Sequence, residues 1–131
     1  MPINGTYSPY DLERAKKAIE YIHCHYAETF SPDMLAEEVS IDIKKLQLLV
    51  QLLTGYTVHN YQLNVRIEQA KLELEDFSKP VKWIARKHGF SSPTHFNREF
   101  KKRAMLTPKQ YRLQLMFASN PILIPVVNNK L

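Results

Sequence analysis

The sequence predicts an all-α fold in which one helix-turn-helix unit is used twice, the two copies being joined by a long connecting helix. Three observations predict it. Ser or Thr stands directly before Pro at Ser8-Pro9, Ser31-Pro32, Ser92-Pro93 and Thr107-Pro108, and each pair is a helix N-cap followed by proline at the first helical position. The chain also repeats itself. Leu35-Ala36 and Ile84-Ala85 lie 49 positions apart, while Leu46 and Phe96, Val50 and Phe100, Thr57 and Thr107, and Tyr61 and Tyr111 lie 50 apart. Finally, no segment alternates apolar and polar residues as a strand would.

The elements follow in order. A first helix from about Pro9 to Tyr26 carries Leu12, Ala15, Ile19, Ile22 and Tyr26 on one face,. The first unit runs through a helix ending near Val39 and a second from about Ile43 to Thr54; the other unit has a helix ending near His88 and a second carrying Phe96 and Phe100. The pairs Leu46/Val50 and Phe96/Phe100, four apart, face inward, and the turns differ by one residue in length. Val58 to Asp76 reads as one connecting helix, with Tyr61, Val65, Ala70 and Leu72 as packing positions. Asp42, Thr57 and Ser78 are further candidate caps. Gly55 and Gly89 each follow a helical run where a left-handed C-cap is expected,. The organisation is therefore an N-terminal segment with the first helix over 1–30, a helix-turn-helix over 31–57, the connecting helix over 58–76, a second helix-turn-helix with the start of the last helix over 77–112, and a tail over 113–131.

The 131 residues carry a formal net charge of +5 and a pI near 9.3, and suit one ordinary domain. The charge is unevenly spread. Residues 1–65 hold five basic and eight acidic residues, residues 66–131 thirteen and five. Between Lys82 and Arg112, Glu99 is the sole acid among nine Lys and Arg, which points to a polyanionic partner on that lobe. A lone cysteine, Cys24, forms no internal disulfide and suits a reducing cytoplasm. Met1 to Tyr10 has neither a basic leader nor an apolar run, so no secretory signal is expected. Ile122 to Val127, broken by Pro125, is too short to span a bilayer.

At this density of motifs the chain resembles the DNA-binding domain of AraC/XylS-type bacterial transcription regulators. The likeness is carried in the second unit by Ile84-Ala85, Gly89-Phe90, Phe96, Phe100-Lys101, Thr107-Pro108 and Tyr111-Arg112. It continues through Leu35-Ala36, Leu46 and Gly55 in the first unit and Tyr61, Arg66, Ala70 and Leu74 in the connecting helix. About a hundred residues are covered. The resemblance implies two homeodomain-like lobes that place two recognition helices in successive major grooves of double-stranded DNA. It implies a cytoplasmic bacterial protein, nucleoid-associated when bound to DNA, with RNA polymerase or another protein chain as candidate second partners and no membrane. Val50 stands where the family usually has an aromatic residue, and Met105 where it usually has glycine, so the turn at Met105 is expected to take another backbone path if a left-handed residue is required there.

On the second recognition helix, Phe96 and Phe100 define the inward direction, which turns Thr94, Asn97, Arg98 and Lys101 toward the groove. Arg98 can fork onto guanine and Asn97 can pair with adenine. Ser91 and Ser92, just before the helix, are placed for phosphate. Lys101, Lys102, Arg103 and Arg112 read as phosphate neighbours. The first recognition helix differs in kind. With Ile43, Leu46, Leu49, Val50 and Leu53 assigned to the core, it turns Lys44, Gln47, Leu48, Gln51 and Leu52 outward. A leucine touches a thymine methyl but makes no hydrogen bond, so weaker discrimination is expected of this unit.

No metal or cofactor is expected. His23, Cys24 and His25 are neighbours on a helix, and adjacent positions point about 100° apart, so they read as structural. Trp83, beside Ile84-Ala85, reads as a packing or lobe-interface residue. No phosphate-binding glycine loop, nucleophile motif or carboxylate pair with chemical context is present, which argues against an enzyme. The reading is a sequence-specific transcription regulator. The alternative is a protein-interaction module on the same fold, its first unit degenerate for DNA reading and its Leu48/Leu52 pair a partner surface.

Overall fold

The computed structural model describes residues 7–119, which contain helices and no strand. In chain order the helices are α1 (Pro9–His25), α2 (Pro32–Glu38), α3 (Ile43–Thr54), α4 (Val58–Glu73), α5 (Val81–Lys87), α6 (Pro93–Ala104) and α7 (Pro108–Ser119). They form two compact units divided between Arg66 and Ile67, inside α4. The connecting helix thus lends its first half to one core and its second half to the other.

The caps explain where the helices begin. Ser8 accepts from the Asp11 amide while the Asp11 carboxylate accepts from the Ser8 amide, a reciprocal box that opens α1,. Ser31 accepts from Met34, Asp42 from Lys44 and Lys45, Ser92 from His95, and Thr57 and Thr107 from Asn60 and Gln110. Ser78 caps nothing. Its amide and hydroxyl both donate to the Asp76 carboxylate, and α5 starts after Pro80 without a side-chain cap.

Unit 1 closes around Ala18 and Ile22 of α1, Leu35 and Ala36 of α2, Leu46 and Val50 of α3 and Val58 and Val65 of α4, with Tyr61 packed against them. Val50 is fully buried, so this core closes without an aromatic ring there. Gln62 and Arg66 fasten the end of α1. The Gln62 amide donates to the Tyr26 and Glu28 carbonyls at 2.9 and 2.7 Å, and the Arg66 guanidinium donates to the same two at 2.6 and 3.0 Å. In unit 2 the buried side chains include Ile67 and Ala70 of α4, Leu74 just after it, and Ile84, Ala85, Phe90, Phe96 and Phe100. Rings run in sequence from Phe90 through Phe96 and Phe100 to Tyr111 with centroids 5.0–5.6 Å apart. Such contacts add about 0.5–1.5 kcal/mol each to the area they bury.

Four expectations are corrected. Leu53 is 46% and Leu72 60% exposed. Leu53 lies in the last turn of α3, where the chain turns away at Gly55, and Leu72 is on the opposite side of α4 from Ala70 and Leu74. The connecting helix ends at Glu73 rather than Asp76, because tighter bonds from Glu75 to Leu72 and from Asp76 to Glu73 close it,. The last helix continues through residues 113–119, which the sequence reading gave to a tail; Ile122 to Val127 lies outside the described residues.

Each unit needs a left-handed residue twice. Inside the turn it is Ser40 (φ 58°) in unit 1 and Gly89 (φ 99°) in unit 2. There the Ile41 amide reaches the Ala36 carbonyl and the Phe90 amide reaches that of Ala85, both at 3.0 Å, the double-bonded helix ending that such a residue permits. After the recognition helix it is Gly55 (φ 83°) and Met105 (φ 65°). Met105 therefore follows the same backbone path as glycine rather than another one. It is 80% exposed and gains no burial in return for the cost of a Cβ in that conformation.

Glu73 ties the end of α4 to α5. Its carboxylate, largely buried, accepts from Lys79 and Lys87 and meets Nε2 of buried His88 at 2.8 Å. The Lys79 and Lys87 bonds, with a smaller one from His88, hold the Glu73 pKa at about 2 against an ordinary 4.5. Burial lowers that of His88. Trp83, half exposed, lies under the Lys79 and Lys87 ammonium groups, 4.9 and 5.1 Å from its centroid,.

Two outcomes are expected. Met105→Gly should raise the unfolding free energy by about 0.5–1 kcal/mol, since relief of left-handed strain exceeds the added chain entropy; urea denaturation measures it, and a loss would contradict the strain. A depressed carboxyl pKa gives stability that is present above the unfolded value and lost on acidification. Unit 2 should therefore lose stability as the pH falls from about 4.5 to about 2,. His88 adds in the same direction, because the unfolded imidazole takes up its proton first. Glu73→Gln should flatten that limb in pH-dependent denaturation followed by circular dichroism.

Candidate nucleic-acid interface

Both second helices, α3 and α6, are twelve residues long, capped at the start by Asp42 or Ser92 and closed at the end by a left-handed residue. Leu46, Leu49 and Val50 bury one side of α3; Phe96, Glu99 and Phe100 bury the corresponding side of α6. With about 100° per residue, burying those three positions fixes which others point away.

On α6 the outward positions are those expected. Thr94, Asn97, Arg98 and Lys101 are all exposed, and so is Lys102. Ser91 is exposed just before the helix, while Ser92 is half buried with its hydroxyl committed to the His95 amide. Glu99, the sole acid of the basic stretch, points inward, is almost fully buried and pairs with Arg103. Its charge is thereby withdrawn from the outward face, which keeps only cations and neutral hydrogen-bonding groups. Arg103 is correspondingly held by Glu99. Arg112 is engaged elsewhere too: its guanidinium donates to the Leu74 and Asp76 carbonyls at 3.1 and 3.0 Å. It fastens the end of α4 in unit 2 as Gln62, its counterpart 50 residues earlier, fastens the end of α1 in unit 1.

On α3, Lys44, Gln47, Leu48 and Gln51 are exposed, as are Lys45 and Leu52. Leu48 and Leu52, 39% and 46% exposed, lie four residues apart on the outward side. A shallow groove beside the helix is bounded by Pro32, Gln47, Gln51, Thr57, Val58 and His59.

Sequence reasoning missed Lys82 and Arg86. Both are exposed on α5 and border a small depression with Ser91, Ser92 and Pro93 at the start of α6. Their spacing of four on a seven-residue helix whose other face is Ile84-Ala85 was the available signal. A cleft of about 620 Å³ in unit 2, lined by Val81, Asn97, Thr107, Arg112, Leu113 and Met116, places Asn97 at a cavity edge as well as on the outward side.

His23, Cys24 and His25 go different ways. His23 Nε2 meets the Tyr61 hydroxyl at 2.7 Å, His25 stacks on Tyr21 and meets Glu28 at 2.9 Å, and Cys24 is exposed. Among the described residues no group of three His, Cys, Asp or Glu is arranged to hold a metal ion, and no helix is long and apolar enough to cross a membrane.

Comparison with known proteins agrees with this geometry. Residues 35–114 match a family described as a helix-turn-helix domain. The chain is 31% identical over 111 residues to the arabinose operon regulatory protein of Escherichia coli K12, which covers 84% of this chain and 38% of that protein. It spans less than two thirds of the length of the curated relatives it matches. Among solved structures it is similar to a Chromobacterium violaceum transcriptional regulator described as containing an AraC-type DNA-binding domain (TM-score 0.73, 26% identity, 79% of this chain and 92% of that one). It is also similar to the DNA-binding domain of the global transcriptional factor AdpA, solved with a target DNA (TM-score 0.68, 25% identity, 87% and 98%).

Proposed function

The chain belongs to the AraC-type family of helix-turn-helix domains, and from that premise we propose that it regulates transcription by binding double-stranded DNA sequence-specifically. The observation that carries the reading is the outward face of α6, on which Thr94, Asn97, Arg98 and Lys101 are all exposed. Arg98 offers two parallel N–H donors to the O6 and N7 of guanine, and Asn97 a donor and acceptor to adenine. Thr94, in the first turn, meets a base edge or a thymine methyl. Lys101 and Lys102 sit farther along the helix as phosphate contacts, with Ser91 beside its N-terminus and Lys82 and Arg86 on the preceding helix.

Arg112 is left out of this reader set because its guanidinium fastens α4, and Ser92 acts through its cap, positioning the helix rather than touching a base. Lys44, Gln47, Leu48 and Gln51 form the corresponding face of α3. In this reading the bound form resides on the nucleoid in the cytoplasm. RNA polymerase or another protein chain meets it on a surface other than the outward face of α6.

The alternative, a protein-interaction module, is favoured by one observation, the exposed Leu48 and Leu52. Salt and substitution separate the two. A DNA reader loses affinity steeply as salt rises, with a slope of about 0.9 in log Kd per phosphate neutralised. Arg98→Ala should relax selection at one base pair by about 1–3 kcal/mol, while Lys101→Ala should weaken all duplexes alike and reduce the salt slope by about 1. Fluorescence anisotropy against matched and mismatched duplexes reads both effects. Weak binding, indifferent to sequence and to both substitutions, would replace this reading with the alternative.

A further inference from the structure

The 50-residue repeat places the two recognition helices in register, and their outward faces can be compared position by position. Lys44 matches Thr94, Gln47 matches Asn97, Gln51 matches Lys101 and Lys45 matches His95. At the two remaining outward positions Leu48 stands where unit 2 has Arg98, and Leu52 where it has Lys102. A third exchange of cation for leucine, Leu53 for Arg103, falls where unit 2 holds its cation against Glu99 rather than outward; the caps, the length, the buried triplet of positions and the left-handed ending are kept. Leu48 and Leu52 are exposed without a covering partner side, yet they lie on the one face of the unit that the register equates with the reading face.

We infer that α3 reads thymine: Leu48 and Leu52 pack against the 5-methyl groups of thymines in the part of the site that unit 1 faces, replacing the charged readout of unit 2 with an apolar one. The inference rests on the proposed DNA-binding function and specifies what its first unit recognises. The thymine methyl is the one sizeable apolar group that a base edge presents in the major groove, so it is the feature there that a leucine distinguishes. The pair is spaced about 6 Å along the helix, and methyls of thymines on neighbouring base pairs come within its reach. The flanking amides of Gln47 and Gln51 can pair with adenine on the opposite strand, which makes an A·T step the consistent partner of the whole face. Lys44 at the start of α3 supplies the attraction to phosphate that the leucines lack, while the neighbouring Lys45 is paired with Asp11 at 3.5 Å. The charge balance agrees: residues 1–65 are net acidic, so this unit gains little from general attraction to the backbone and must obtain its contribution from contact with the bases.

Deoxyuridine, which is thymidine without the 5-methyl group, tests this on the unaltered full chain. A duplex selected by the chain is first divided by Thr94→Ala, Asn97→Ala and Arg98→Ala, made singly: the bases whose selection relaxes belong to unit 2. Thymines in the other part are then replaced by deoxyuridine one at a time. Burial of a methyl corresponds to about a fourfold change in Kd, so each contacted thymine should weaken binding about fourfold. That penalty should vanish in Leu48→Ala/Leu52→Ala, whose altered side chains are exposed, while effects of substitution in the unit 2 part persist. Converting a cytosine at the same position to 5-methylcytosine should restore part of the affinity. Equal binding of thymine and uracil duplexes overturns the inference, as does a uracil penalty that survives the double substitution. Both outcomes leave selective binding through α6 intact; absence of any selective binding instead removes the reading on which the inference rests.

Discussion

In each unit, two side chains four residues apart on the second helix are driven into the core, Leu46 with Val50 and Phe96 with Phe100, all fully buried. Burying such side chains is worth roughly 1.5–3 kcal/mol apiece, and together they fix the rotation of the helix about its axis. Everything the helix offers to a partner follows from that rotation, because a turn of one residue, about 100°, would send Arg98 or Leu48 sideways and bring a different set of side chains to the front. The caps fix the start of each helix and the left-handed residues fix its end, so rotation and length are both set by groups that touch no partner. The reading face is thus what remains after the core has taken its share.

That common frame carries unequal faces. Unit 2 turns its sole local acid inward, pairing Glu99 with Arg103, and leaves Arg98, Lys101 and Lys102 outward. Unit 1 keeps the frame but places leucines where two of these cations would stand. The frame also shows where each copy spends its glycine: unit 2 has it in the turn, at Gly89, and unit 1 after the recognition helix, at Gly55. The position left over in each unit, Met105 or Ser40, holds the same left-handed conformation without glycine. Packing dictates the backbone path strongly enough to override that local preference.

The repeat, the caps and the inward pairs were legible in the sequence because each is a local pattern: a hydroxyl before proline, apolar residues four apart, a fixed offset. Side chains that reach across the fold were not. Arg112 carries the charge and the position of a phosphate contact, and no spacing rule reveals that the carbonyls of Leu74 and Asp76, 38 and 36 residues away in sequence, have claimed it. Arg103 was lost to Glu99 even though the two are only four apart, because burial, not spacing, decides that such a pair turns inward. Met105 misled for the opposite reason, a residue preference being taken to govern a backbone that the core governs. Leu53 and Leu72 fit a helical period as well as their neighbours do and differ only in what lies opposite them, which a single helix does not disclose. Leu53 aside, the outward residues of α3 and α6 were legible because the core-facing positions determine them by difference.

The central claim is that two copies of one frame read DNA by different chemistry, and selection of bound duplexes from a random pool by the full chain tests it most directly. The account expects a bipartite preference: one part with a strongly selected guanine facing Arg98, the other dominated by A·T pairs. Guanine-centred selection of equal strength in both parts, or none in the part assigned to α6, would contradict it.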